Sequence, residues 1–197
     1  MTTDIQVIGL CGVAQSGKDT FCEAAKNLFK EQGIKAHRVS FADALKQDVN
    51  EFLLSKIGIS AFTTDIKEKT LIRDFLVSYG TNLMRKRDDM HWINKVSPIV
   101  KKNISNNEVT IITDIRYVNE IDWVQKELKG KCVHIARIHP SGEGYIPPAN
   151  AEEEKNDPLL KNKADTSLNW LTLDDLDAVE WIVGDELNNL LGFTIPA

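Results

Sequence analysis

The chain is poor in cysteine and proline, has no long apolar run and carries no excess of positive charge. Each shortage closes off a class of protein. The three cysteines, Cys11, Cys22 and Cys132, are an odd number at spacings that match no metal or redox motif. Cys11 and Cys132 lie in apolar, strand-like runs, so they read as small buried hydrophobes in a reducing compartment. The histidines, His37, His91, His134 and His139, are scattered without metal-ligand spacing. No apolar stretch approaches the about 20 residues that span a bilayer. The opening MTTDIQVIGL lacks the charged and apolar regions of a secretory signal. A net charge of −5 provides no global field toward nucleic acid or an anionic membrane. The expectation is a cytoplasmic protein without nucleic-acid or membrane partners.

What is present suits one globular domain. The 197 residues are 42% hydrophobic and 27% charged, enough for a sizeable core. Ile5 to Cys11 is short, apolar and β-branched, and reads as a buried strand. From Lys18, the residues Phe21, Ala24, Ala25, Leu28 and Phe29 recur at helical spacing up to a stop near Gly33. Ala36 to Phe41 reads as a second strand, so the chain opens β-loop-α-β, the pattern of a parallel sheet. Residues 42–102 are nearly free of strand signals and carry helical periodicity over 44–57, 66–84 and 92–100. Val109 to Thr113 reads as a buried strand ending in Asp114, NEIDWVQKEL as a helix, and Lys131 to Ile138 as a further strand. Residues 139–165 show no periodicity and are rich in Pro, Gly, Asn and charge, as lids and binding loops are. SLNW reads as a last short strand, and an amphipathic helix closes the chain from Asp174. Its stripe, like those of the other helices, is explained by a core and is equally compatible with a homodimer interface.

The chemistry-bearing stretch is GLCGVAQSGKDTF, residues 9–21. Gly12, Gly17 and Lys18 match the phosphate-binding pattern G-x-x-x-x-G-K-[ST], and the loop leaves a strand and opens a helix as that pattern requires. Successive backbone N–H groups of such a loop cup phosphates, aided by the positive end of the helix. The expected nucleotide contacts are Gly12, Ala14, Gln15, Ser16, Gly17, Lys18, Asp19 and Thr20. Asp19 stands where a metal-holding hydroxyl belongs, and Thr20 follows one step late. A tight turn could need its glycines for shape alone, but Lys18 has no role in one.

The tetrapeptide GKDT resembles the deoxynucleoside monophosphate kinases of bacteriophages. Adenylate kinases, which carry G-K-G-T, likewise lack a hydroxyl directly after the lysine. Three more stretches extend the resemblance over most of the first 140 residues. Leu71 to Val96 is similar to the family's run of Arg, Gly-Thr, Arg, acidic turn and Trp, at Arg73, Gly80, Thr81, Arg85, Asp89 and Trp92. IITDIRYVNE resembles its strand-end signature, at Asp114, Arg116, Asn119 and Glu120. SFADALK, with Asp43 and Lys46, looks like the family's approach to the acceptor. The resemblance implies an α/β P-loop kinase fold, with a five-stranded parallel sheet ordered 2-3-1-4-5, a helical acceptor-binding insertion over 42–102 and a lid-like loop over 139–165.

It further implies transfer of the γ-phosphate of ATP to a deoxynucleoside monophosphate, in host cytoplasm if the chain is phage-encoded. Lys18 and the loop amides would hold the donor phosphates. Asp114 and Asp19 would orient Mg²⁺, directly or through water. Asp43, Lys46, Arg73, Gly80, Arg85, Trp92, Asn119 and Glu120 would bind the acceptor, with Arg73 and Arg85 as its clamp. Arg116 would neutralise charge on the transferred group. Arginine suits this work because its planar fork matches phosphate oxygens. Taken singly, each arginine could be an ordinary surface residue, Asp43 and Asp114 could cap helices, and Asn119 and Glu120 could simply start one. Glu143 stands where an adenylate kinase lid has arginine, which leaves Arg137, Lys155, Lys161 and Lys163 as the basic residues of that segment. AEEEK reads as a solvated charge run. The rival readings are another small-molecule kinase, of dephospho-coenzyme A or phosphomevalonate type, a polynucleotide 5′-end kinase, and a non-catalytic nucleotide switch. A switch would carry Ser or Thr after Lys18, and the NKAD string at 162–165 follows no apolar strand.

Overall fold

A computed structural model describes residues 5–139, 141–170 and 176–192. Five strands form one parallel sheet: β1 (Val7–Cys11), β2 (Ala36–Val39), β3 (Val109–Ile115), β4 (Lys131–Arg137) and β5 (Thr166–Trp170), in the order β2-β3-β1-β4-β5. This is the expected order. β1 lies centrally, with Ile8 opposite Ile111 on one side and Lys131 on the other. All five residues of β1 are buried, as a strand covered on both faces must be. Because every pairing is parallel, Cys11, Ile115, Arg137 and Trp170 end their strands at one edge of the sheet. In open α/β sheets that edge is where ligands bind.

Alternation along β1 sends Ile8 and Leu10 into a cluster with Phe21, Ala25, Leu28 and Phe29 of α1 (Lys18–Glu31) and Val179, Val183 and Leu187 of α7 (Leu176–Leu191). The other face is tighter. A Cβ on Gly9 would come within 2.3 Å of Ile115 Cδ1 and 2.9 Å of Cys132 Sγ, so any larger residue would force those side chains to shift.

The chain forms two compact units. One comprises Met1–Val39 and Ile99–Ala197, the other Ser40–Pro98. The second is helical. α2 (Phe41–Ile57) is capped by Ser40, whose hydroxyl accepts from the Asp43 amide at 3.2 Å, and Gly58 ends it in the left-handed region. Asp43 therefore sits in the first turn and is not the cap. α3 (Ile66–Val77) is capped by Asp65 and continues into a π-helical segment, Ser78–Arg85. α4 (His91–Ser105) begins in this unit. Val49, Leu53, Ala61 and Ile72 form one apolar cluster in it, and Phe41, Trp92, Ile93 and Val96 are buried as well.

The segment read as aperiodic loop differs. Residues 151–163 form helix α6 (Ala151–Lys163). Asn150 caps it by accepting from the Glu153 amide at 2.9 Å, acidic residues fill its first turn and lysines its last. Those end effects make the helix, and they leave no 3.6-residue apolar period to detect. Ahead of α6, Ile138 and Tyr145 form an antiparallel bridge. α5 (Val118–Asp122) runs into a second π-helical segment, Trp123–Glu127. Among the described residues no helix is long and apolar enough to cross a membrane.

Candidate active site

The loop between β1 and α1 is built by three residues in left-handed conformation: Gly12 (φ 129°), Gln15 (φ 64°) and Gly17 (φ 96°). A Cβ on Gly12 would meet the Ile135 carbonyl oxygen at 2.1 Å, and one on Gly17 would meet Trp170 Nε1 at 2.7 Å. Both glycines are thus demanded by backbone angle and by space. Trp170, 1% exposed, backs the loop, and its indole N–H has no hydrogen-bond acceptor among the described residues. Ser16 is fully buried.

Lys18 opens α1 and turns its ammonium back over the loop. It donates to the carbonyls of Gly12 (2.8 Å) and Val13 (2.6 Å) and to Ser16 Oγ (3.2 Å). Burial lowers its pKa below that of a free lysine, and the nearby Arg116 cation lowers it further. Glu153, Cys11 and Asp114 act in the opposite direction. Asp114, near the end of β3, and Arg116, just beyond it, are therefore within electrostatic reach of the loop lysine.

The Asp19 carboxylate does not crowd this centre. Its side chain is 83% exposed and lies 3.5 Å from Arg38 Nε. An acid in the first turn also suits the positive end of α1. Thr20 follows in the same turn.

Arg116 is held at both ends. The Glu120 carboxylate accepts from the Arg116 backbone N–H at 2.8 Å and from that of Tyr117 at 3.1 Å. Glu120 is 2% exposed, so it braces the arginine's backbone. Asn119 lies beside it in α5. At the other end, Arg116 Nη1 donates to Glu153 Oε1 at 2.8 Å. Glu153 is the residue that sequence reasoning missed. It belongs to the run taken as solvated, yet is 8% exposed, while Glu152 and Glu154 beside it are exposed. Three consecutive glutamates give no periodic signal that one turns inward.

The second unit carries the remaining predicted residues. Gly80 lies close under the end of the Leu45 side chain: a Cβ there would meet Leu45 Cδ1 at 2.0 Å. Trp92, 5% exposed, donates from Nε1 to the Gly80 carbonyl at 3.1 Å, so this pair shapes the unit's interior. Asp43 and Lys46 face each other at 3.9 Å, and the Lys46 ammonium lies 5.7 Å from the Phe62 ring centre. Arg73 is exposed on α3, and Arg85 closes the π-helical segment.

Other basic candidates are otherwise engaged or peripheral. Lys163 pairs with Asp122 at 2.5 Å, and Lys155 and Lys161 are exposed on α6. Arg137 ends β4 with its Nε buried and without an acceptor among the described residues. In the NKAD string, Asp165 accepts from the Cys132 amide, Gln125 and Lys131, which fixes it as an anchor for β4.

A family model for deoxynucleotide monophosphate kinases matches residues 14–167. A search of curated protein sequences finds no match. Among solved structures, dephospho-CoA kinase from Campylobacter jejuni superposes with a TM-score of 0.52 at 11% identity, covering 95% of this chain and 98% of that one. Shikimate kinase from Bacteroides thetaiotaomicron aligns with a TM-score of 0.46 at 14% identity over 95% and 98% of the two chains. At such identities the first of these speaks for the fold alone. A glycine loop cradling a lysine at the strand ends and the family match over most of the chain lead to one conclusion: the chain belongs to the deoxynucleotide monophosphate kinase family, ATP-dependent enzymes that phosphorylate deoxynucleoside monophosphates.

Proposed function

We propose the following division of labour for the transfer from ATP to a deoxynucleoside monophosphate. Lys18, the amides of residues 15–20 and the N-terminus of α1 hold the donor β- and γ-phosphates, the Ala14 amide being taken by Glu153. Arg116 neutralises charge on the transferred phosphoryl group. Little covalent chemistry is needed, because phosphoryl transfer is governed by positioning and charge stabilisation. No general base is required, since the acceptor phosphate is already anionic. Arg73 and Arg85 clamp that phosphate, Asp43, Lys46 and Asn119 line its approach, and Gly80, Trp92 and Glu120 act by holding the backbone around them.

The donor set beside Lys18 fits a magnesium ion. Such an ion takes one or two carboxylates and completes its shell with phosphate oxygens and water. Asp114 would hold it, with Asp19 reaching it through water and the Thr20 hydroxyl in the same turn. When bound, Mg²⁺ screens the charge on the β- and γ-oxygens. Buried thiols at Cys11, Cys22 and Cys132 fit a reducing, cytoplasmic setting.

The observation that carries this reading is a loop of glycine-enforced shape at the strand ends with the Lys18 ammonium folded over it, bonded to the Gly12 and Val13 carbonyls and to Ser16 Oγ. The test is a coupled ADP-release assay with Mg·ATP and each of dAMP, dCMP, dGMP and dTMP, beside their ribose counterparts and dephospho-coenzyme A. Turnover is expected on one or more deoxynucleotides, falling on the order of 10²–10³ in Lys18→Ala. Unchanged turnover in Lys18→Ala would overturn the assignment of the loop.

A further inference from the structure

We propose that Glu153 is a positioning residue for phosphoryl transfer: its single carboxylate fixes the Arg116 guanidinium in register with the Ala14 amide of the phosphate loop. This rests on the role given to Arg116 above.

The geometry is specific. Oε1 accepts from Arg116 Nη1 at 2.8 Å. Oε2 accepts from two backbone amides, Ala14 at 3.2 Å and Ala149 at 3.0 Å. The backbone of Glu153 is itself tied down, since its N–H is the donor that Asn150 Oδ1 accepts in capping α6. Three separate stretches therefore converge on one buried side chain: the loop after β1, the turn after β3 and the entry to α6. A buried carboxylate needs several donors to be tolerated, and here it has a cation and two amides.

A guanidinium carries five N–H donors in a fixed plane. Binding one of them to Glu153 restricts the plane and leaves others for phosphate oxygens. Glu120 fixes the same residue's backbone, so Arg116 is constrained from both ends. Preorganisation of this kind matters because a charge-stabilising group that must reorient during the reaction contributes less. Glu153 also supplies the negative charge that offsets two neighbouring cations, Lys18 and Arg116, which act on each other.

The experiment is a double-mutant cycle on the full chain, with kcat and KM measured at varied ATP and acceptor. Glu153→Gln preserves size and removes the charge. It is expected to lower kcat about 10- to 100-fold, the cost of misplacing a catalytic group by around an ångström. The KM for ATP should change much less than kcat, and Glu153→Asp should recover part of the loss. In an Arg116→Ala background, Glu153→Gln should cost less than about threefold, because the group it positions is already gone. Costs that multiply across the cycle, or a wild-type kcat in Glu153→Gln, would overturn the proposal while leaving the kinase assignment intact. Full activity in Arg116→Ala would remove the role of Arg116 and the proposal with it. Thermal melts establish folding, and if Glu153→Gln does not fold, the same cycle run with Glu153→Asp reads the same coupling on a smaller scale.

Discussion

The two compact units differ most in what they leave in water. In the sheet-bearing unit, Ile8, Leu10, Phe21, Phe29, Ile111 and Ile135 are all fully buried. In the helical unit, Phe52, Leu54, Ile57, Phe62, Ile66, Leu71, Phe75, Val77 and Leu83 are exposed, beside a buried set of Phe41, Val49, Leu53, Ala61, Ile72, Trp92, Ile93 and Val96. Burial of apolar surface supplies most of the favourable term in folding. The first unit is therefore stiff and presents its phosphate site largely through backbone. The second leaves more of its large apolar side chains in water. A kinase must hold its donor in fixed geometry and admit and release an acceptor every cycle, and such movable elements come from the low-stability end of a structure.

The sharpest way to break this comparison is chemical. Lys18→Ala should reduce turnover about 10²-fold or more whichever acceptor is used. Arg73→Ala should instead raise the acceptor KM about 10- to 100-fold, the value of a charge-assisted bond, with ATP binding unchanged. If both variants altered ATP binding alike, the two units would not divide donor from acceptor.

A matched pair of glycines tests stiffness. In Gly12→Ala the new methyl meets a backbone carbonyl at 2.1 Å and the angle φ is +129°. The expected loss of stability is about 3 kcal/mol or more. In Gly80→Ala the obstacle is the end of the Leu45 side chain, which can turn aside. That loss should be about 1 kcal/mol. Urea unfolding distinguishes them, and equal losses would contradict a softer second unit. Hydrogen exchange should show the same order, with β1, β3 and β4 amides opening only with global unfolding and α2 and α3 amides well before it.

The smallest expected effect is on alkaline stability. Burial pushes the thiols of Cys11 and Cys22 up to about 12, from an ordinary 9.0, and raises that of Cys132 as well. Above 9.0 the unfolded chain loses these protons while the folded chain keeps them. Their contribution is thus complete below 9.0 and is lost as pH rises toward about 12. Lys18 works in the opposite sense, because its folded pKa is lowered: its contribution grows as pH rises toward 10.5. Cys22→Ala should flatten the alkaline fall, as read from urea midpoints below and above 9.0.

Most of the sheet was legible because buried parallel strands are short apolar runs between punctuating glycines and polar turns. The loop was legible because its glycines and lysine are spaced by the needs of a phosphate. α6 was not, since capping and end charges specify it without an apolar stripe. Glu153 was hidden for a related reason. Which of three adjacent carboxylates turns inward depends on an amide and an arginine far away in sequence, and no local pattern encodes that. Gly80 and Trp92 were singled out for the acceptor, and the structure ties them to each other through one hydrogen bond.

Trp170 gives the molecule an optical property. Its indole lies buried against Gly17, with no acceptor for its N–H among the described residues. The emission of an indole depends on the polarity and fields within a few ångströms. Charge arriving at the phosphate loop will therefore perturb the fluorescence of Trp170. Trp181, 64% exposed, provides an internal comparison that should not respond. Donor binding can thus be followed in unlabelled protein, apart from turnover, by the tryptophan that closes the back of the loop.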